Sequence, residues 1–191
     1  MASAIEAVGH VDMIELDVHV LRGQVEVRHA KVLHPTRRLW ERWHLLPRGS
    51  AGVPIAEVLA ALPADLPLMI DLKCFSRSGA RNVLAHLPTQ TRAVVSTRNW
   101  WVLKPFRGRP RTRLLYSCGS QWQLWWVLHR SRFRKNLGVC VREDLLTPTV
   151  IADLQQKTRL IYSWGASTNE RCRELELAGI TGVILDDYKI I

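Results

Sequence analysis

Apolar positions along the chain fall into short compact runs separated by longer amphipathic stretches. The runs are DMIELDV (12–18), LPLMIDLK (66–73), AVVST (93–97), RLLYS (113–117), LGVCV (137–141), RLIYSW (159–164) and GVILDD (182–187). Each has the length and composition of a strand, so seven strands are predicted. Helical material fills most of the gaps: RNVLAHL (81–87), QWQLWWVLHRSRF (121–133), TPTVIADLQQ (147–156) and TNERCRELELAG (168–179). Thr147 before Pro148 reads as an N-cap and a first helical residue, and Thr168 precedes a helical run that ends at Gly179. Continuous apolar strands alternating with helices predict a parallel sheet covered on its faces. One connection differs. Arg22 and Gly23 are followed by Val25 and Val27 alternating with Glu26 and Arg28, which predicts a hairpin arm on the first strand. Residues 34–52 read as a long loop. No internal repeat or low-complexity tract interrupts the pattern.

Length and composition narrow the class. The 191 residues suit one domain spanning 1–191, and 47% hydrophobic against 23% charged residues excludes disorder as the default. A net charge of +10 favours contact with phosphates, nucleic acid or an anionic membrane without choosing among them. Cys74, Cys118, Cys140 and Cys172 form no CxxC pair, so neither a zinc knuckle nor a disulfide framework is expected. A reducing, cytoplasmic setting is the expectation. No apolar run is long enough to cross a bilayer, and the N-terminus lacks the parts of a signal peptide, so a soluble chain is expected.

Candidate chemistry starts at Glu15 and Asp17. Side chains two apart on a strand share a face, so these carboxylates point one way while Ile14, Leu16 and Val18 point the other. Asp71 and Lys73 repeat the arrangement. In a closed parallel barrel the acids point inward, and unpaired buried charge is costly unless a cation or donors compensate it. Three carboxylates against one ammonium suit a divalent cation, and all-oxygen ligands indicate Mg²⁺ or Ca²⁺ rather than zinc. The competing reading leaves these acids at strand ends, paired with surface arginines. His29 ends the hairpin arm on the face of Val25 and Val27, where it can lean over the same mouth as an acid or base.

These residues resemble a known family. The run GHVDMIELDVHVLRGQVEVRHAKVL (9–33) is similar to the segment of the glycerophosphodiester phosphodiesterases written GADMIELDV, a turn, then VVxHDxTL. VPIAEVLAALP (53–63) resembles the helix after the family's loop, MIDLK (69–73) its IEIK strand, and VVSTR (94–98) its VxSSF strand. The last part, 161–187, resembles its WTVN segment, the following helix and the GIITD strand. The resemblance implies a TIM (β/α)8-type barrel with its active site at the C-terminal strand ends. It matches Glu15, Asp17 and Asp71 to metal ligands, His29 to one of two catalytic histidines, and Lys73 and Trp164 to substrate contacts. The implied reaction is metal-assisted hydrolysis of a glycerophosphodiester to glycerol 3-phosphate and an alcohol.

The family's opening strand carries HRG, with the other catalytic histidine and a phosphate-binding arginine, and it has no counterpart in these residues. The expected barrel therefore lacks its first strand and part of its first helix. His29 and Ala30 stand for His-Asp, Asp71 for a glutamate, and Gly165, Ala166 and Ser167 for Thr-Val-Asn. A catalytically inactive member that binds a lipid surface or a phosphate ligand therefore stays open beside the enzyme.

A second signal lies in NWWVLKPFRGRPRTR (99–113) and QWQLWWVLHRSRFRK (121–135). Trp122, Trp125, Trp126 and His129 recur at helical spacing, with Arg130, Arg132, Arg134 and Lys135 following. The favoured expectation packs this tryptophan face on the barrel, its basic end complementing the helix dipole. The alternatives are an interfacial helix on anionic lipid and a nucleic-acid binder, the latter without support from any RNP, KH, HTH or finger motif. The sequence does not address oligomeric state.

Overall fold

The computed structural model describes residues 6–29, 31–33, 38–41, 44–45, 52–131, 133, 136–185 and 189. All seven predicted strands are present: β1 (Ile14–Leu21), β7 (Leu68–Leu72), β8 (Ala93–Thr97), β9 (Thr112–Cys118), β10 (Leu137–Arg142), β11 (Ile161–Trp164) and β12 (Gly182–Ile184). Neighbouring members pair in parallel, in the order β12-β11-β10-β9-β8-β7-β1. The predicted hairpin is there too, with β2 (Gln24–Val27) antiparallel to β1 and β6 (Val53–Pro54) beyond it. Its turn holds Arg22 at φ 53° and Gly23 at φ 83°. Two successive left-handed residues give a two-residue turn the twist that its flanking strands need.

Alternation along the strands sorts the side chains into layers. Ile70, Val95, Val139 and Ile161 face outward against the helices, while Met69, Val94, Leu115, Cys140 and Tyr162 form a cluster on the opposite, inner face. Helix α1 (Ile55–Ala61) buries Ile55 and Val58, and α2 (Arg77–His86) buries Ala80 and Val83. A 3-10 helix (Trp100–Phe106) after β8 buries Val102, Leu103 and Phe106. Next come α3 (Gln121–Arg130), α4 (Pro148–Gln155) and α5 (Asn169–Leu177). Thr147 and Thr168 cap α4 and α5 as predicted, accepting from the Val150 and Arg171 amides. Packing is closest at Gly138, where a Cβ would lie 2.1 Å from the Leu160 carbonyl oxygen.

The edge of β1 at residues 14–17, on the side away from β7, and the outer edge of β12 carry no strand partner among the described residues. This open sheet matches the expected barrel lacking one strand.

Three expectations need correction. Within the predicted loop at 34–52 lie β4 (Arg38–Glu41) and β5 (His44–Leu45), which join β3 (Lys31–Leu33) in a small antiparallel sheet. Strands this short carry too little alternation to be legible. Residues 34–37, 42–43 and 46–51 of that segment lie outside the described residues, as do 132, 134, 135, 186 and 187 of other predicted elements. Helix α2 starts at Arg77, four residues early, because Ser76 caps it by accepting from the Gly79 amide. The third correction concerns α3. Its buried residues are Leu124 and Val127, while Trp122, Trp125 and Trp126 are exposed. The tryptophan face does not pack on the barrel.

Candidate active site at the C-terminal strand ends

In the parallel register Asp17 lies beside Asp71, and Asp71 beside Ser96. All three point to the inner face, as does Glu15 two residues before Asp17. One carboxylate oxygen from each of Glu15, Asp17 and Asp71 lies within 4.8 Å of the others. The acids expected to converge therefore do so, from two adjacent strands, at the end where all the parallel strands finish.

Their partners follow from the same register. The backbone amide of Lys73 donates to the Val18 carbonyl at 2.9 Å, which extends the β1–β7 pairing by one step and aims the side chain back over the acids. The Lys73 ammonium bridges two of them, 2.9 Å from Asp17 Oδ1 and in contact with Asp71 Oδ2. Burial pulls the ammonium down, but Asp71 and Asp17 outweigh it and hold Lys73 above its ordinary range. Ser96 Oγ donates to Asp71 Oδ1 at 2.9 Å. No arginine forms an ion pair with the three acids among the described residues, which disfavours the surface-pairing alternative.

Glu15 forms no ion pair among the described residues and is buried beside two like charges. Desolvation first, then the Asp17 and Asp71 charges, push its carboxyl up from 4.5 to about 8, with Lys73 acting in the opposite direction. Glu15, Asp17 and Asp71 are the described residues that could hold a hard dication together. All three donors are oxygen, and with Glu15 protonated the single ammonium still leaves one negative charge uncompensated. A mutual spread of at most 4.8 Å is within the span that one hard cation with metal–oxygen bonds of about 2.0–2.6 Å can bridge.

His29 arrives by way of the hairpin. The amide of Arg28 donates to the Asp17 carbonyl at 3.0 Å, which brings the returning arm back beside the acids. His29 Nε2 then stands 4.0 Å from Asp17 Oδ2, with 82% of its side chain exposed. Trp164 ends β11 on the inner face. Its Nε1 is buried without a hydrogen-bond partner among the described residues, and the Arg98 guanidinium lies 5.3 Å from its ring centroid.

Sequence reasoning missed two residues at this end of the barrel. Ser96 is a short polar residue in an apolar strand; its signal is a serine whose register meets Asp71. Arg98 reaches across Gly119, where a Cβ would meet the guanidinium at 2.8 Å, so the glycine leaves room for it. The loops beneath are tied together, with Thr97 Oγ1 donating to the Leu72 carbonyl and Asn99 Nδ2 to the Cys74 carbonyl. The four cysteines are free and buried, and burial pushes Cys118 up to about 12, so none resembles an activated nucleophile.

No protein-family model matches the chain, and no curated protein matches it in sequence. Solved structures do match. A glycerophosphodiester phosphodiesterase from Thermotoga maritima superposes with a TM-score of 0.71 at 20% identity, covering 98% of this chain and 88% of that one. An Oleispira antarctica phosphodiesterase, in complex with the product sn-glycerol-3-phosphate, gives 0.71 at 15% identity over 99% and 87%. A glycerophosphoryl diester phosphodiesterase domain from Mycobacterium tuberculosis gives 0.62 at 14% over 96% and 88%. The fold is thus the TIM-type barrel of these proteins, open at one strand position among the described residues.

Proposed function

We propose that the chain is a phosphoric diester hydrolase of the glycerophosphodiester phosphodiesterase type, acting at a divalent cation held by Glu15, Asp17 and Asp71. The observation that carries this reading is the convergence of three carboxylate oxygens within 4.8 Å at the C-terminal end of a barrel. The likeness to phosphodiesterases of the same fold, one of them holding sn-glycerol-3-phosphate, supports a glycerophosphodiester substrate.

Each residue then has a task. The bound cation, Mg²⁺ or Ca²⁺, supplies positive charge against the phosphoryl oxygens. Lys73 holds Asp17 and Asp71 in register and adds a second positive charge beside the phosphate. His29, exposed at the rim and close to Asp17, is in position to hold a proton and pass it to the leaving alcohol oxygen. Trp164 offers an apolar wall to the glycerol or alcohol moiety, and Arg98 stacked over it faces the anionic ester.

A second reading has its own observation. Lys73 bridges Asp17 and Asp71, which partly satisfies them without a metal. On that reading the barrel is a catalytically inactive binder of a phosphate ligand. Release of glycerol 3-phosphate from glycerophosphocholine, followed with and without chelator in the chain and in Asp17→Asn, separates the two. Release abolished by chelator, restored by Mg²⁺ or Ca²⁺ and absent in the variant supports the hydrolase. Binding of sn-glycerol 3-phosphate without turnover supports the second reading, and release equal in all samples contradicts both.

A further inference from the structure

Charge is unevenly distributed along this chain. Between residues 72 and 142 there are 15 lysines and arginines and not one aspartate or glutamate, so all 17 acids lie elsewhere. Five of the eight tryptophans fall in the same stretch. It forms one contiguous sector of the barrel, because β7, β8 and β9 are neighbours in the sheet.

The exposed aromatics of that sector gather at one end. Phe75, 52% exposed, lies in the connection after β7. Trp101, 54% exposed, lies in the 3-10 helix after β8, and Trp122, 65% exposed, opens α3 after β9. Parallel strands release their connections at the same end, so these side chains sit on three adjacent connections at the rim that carries Asp17, Asp71 and Lys73. Exposed Arg77 and Arg98 stand among them, on the connections after β7 and β8. The Arg77 guanidinium donates to the Trp101 carbonyl at 3.2 Å, which joins two of the connections. On α3, Trp122 stacks on Trp125 at 5.1 Å and Trp125 on His129 at 5.0 Å, so the rings stand as a preformed exposed column.

We infer that this rim is a docking surface for an anionic lipid bilayer, which would bring the barrel mouth against the membrane. Tryptophan at a rim flanked by Lys and Arg is the composition of a membrane-interface contact: rings enter the headgroup layer while cations meet lipid phosphates. No helix among the described residues is long and apolar enough to cross a membrane, so the contact is peripheral. A second copy of the chain is a poor occupant, because it would oppose the cationic connections after β7, β8 and β9, which hold no acid, to the same connections of its twin. Single-stranded nucleic acid is disfavoured by the ring geometry, since Trp125 is covered by Trp122 on one side and His129 on the other, leaving little free face for a base.

The test is co-sedimentation of the full chain with large unilamellar vesicles of phosphatidylcholine alone or with 30% phosphatidylglycerol, at 50 and 500 mM NaCl. Binding should favour the anionic vesicles and weaken at least ~5-fold with salt, about the effect of losing one surface cation's contribution. The triple variant Trp122→Gln, Trp125→Gln, Trp126→Gln should lose at least ~10-fold in partitioning with its unfolding midpoint unchanged, since these side chains lie outside the core. Asp17→Asn should bind vesicles like the parent chain, which separates this surface from the hydrolase reading. Equal binding to both vesicle types, full binding by the triple variant, or single-stranded RNA displacing vesicles with an affinity indifferent to the tryptophans would each overturn the proposal.

Discussion

Glu15 gives the candidate site a stability signature that can be read without any substrate. Its carboxyl is raised from 4.5 to about 8, by burial first and by Asp17 and Asp71 next. The folded chain thus holds this proton more tightly than the unfolded chain. That stabilisation is complete below pH 4.5 and is lost as pH rises through about 8. At full burial the linkage is worth about 5 kcal/mol in total, of which about 2 kcal/mol falls between pH 6.5 and 8. Glu15 keeps a side open to solvent at the barrel mouth, which reduces the second figure to about 1 kcal/mol. For a chain of this size that is about 2–4 °C in Tm. His19 does not interfere in this window. Its ring, 1% exposed and without a hydrogen-bond partner among the described residues, is held below the ordinary imidazole range chiefly by burial, and so stays neutral. The assay is urea unfolding in chelator at pH 6.5, 7.25, 8 and 9, comparing the chain with Glu15→Gln. The parent should lose stability relative to the variant as pH rises, and millimolar Ca²⁺ should remove that difference. A parent and variant that change in parallel, or a parent that gains stability with pH relative to the variant, would refute the assignment of a strained, uncompensated carboxylate.

Further expectations follow from individual contacts. Lys73→Met leaves Asp17 and Asp71 without their shared ammonium, so the metal-free chain should lose about 2–3 kcal/mol of stability in urea, partly recovered on adding Mg²⁺ or Ca²⁺. Ser96→Ala removes the donor to Asp71 Oδ1 and should cost about 1 kcal/mol in the same assay while leaving metal stoichiometry intact. Gly138→Ala drives a Cβ against the Leu160 carbonyl, which accepts the Val139 amide, so about 3 kcal/mol or more should be lost, visible as a large fall in Tm. His29→Ala should lower any glycerol 3-phosphate release by ~10²-fold or more without changing cation affinity, because the imidazole stands at the rim 4.0 Å from Asp17.

The elements that were legible in the sequence are those whose burial writes a pattern. Ile70, Val95, Val139 and Ile161 lie in runs covered on both faces, so they read as continuous apolar strands. Thr147, Thr168, Arg22 and Gly23 mark boundaries through local chemistry that acts within a few residues. The acids were legible for the opposite reason: Glu15, Asp17 and Asp71 are charged where the strand demands apolar residues. The α3 tryptophans were misread because a helix with two apolar faces does not say which one is buried. Leu124 and Val127 fill the space against the sheet, and the larger rings are left outside. Ser96 and Arg98 stayed hidden because their roles depend on the register of neighbouring strands and on a glycine across the mouth, neither of which is a feature of local sequence.

The account depends most on the claim that Glu15, Asp17 and Asp71 together hold one hard cation. Calorimetric titration of Ca²⁺ and Mg²⁺ into the metal-free chain, repeated on Asp17→Asn and Asp71→Asn, tests this directly. The account predicts one ion per chain for the parent, with proton release near pH 7 as Glu15 ionises, and at least ~10-fold weaker binding in each variant. No saturable binding to the parent at millimolar cation, or equal binding in parent and variants, would contradict it.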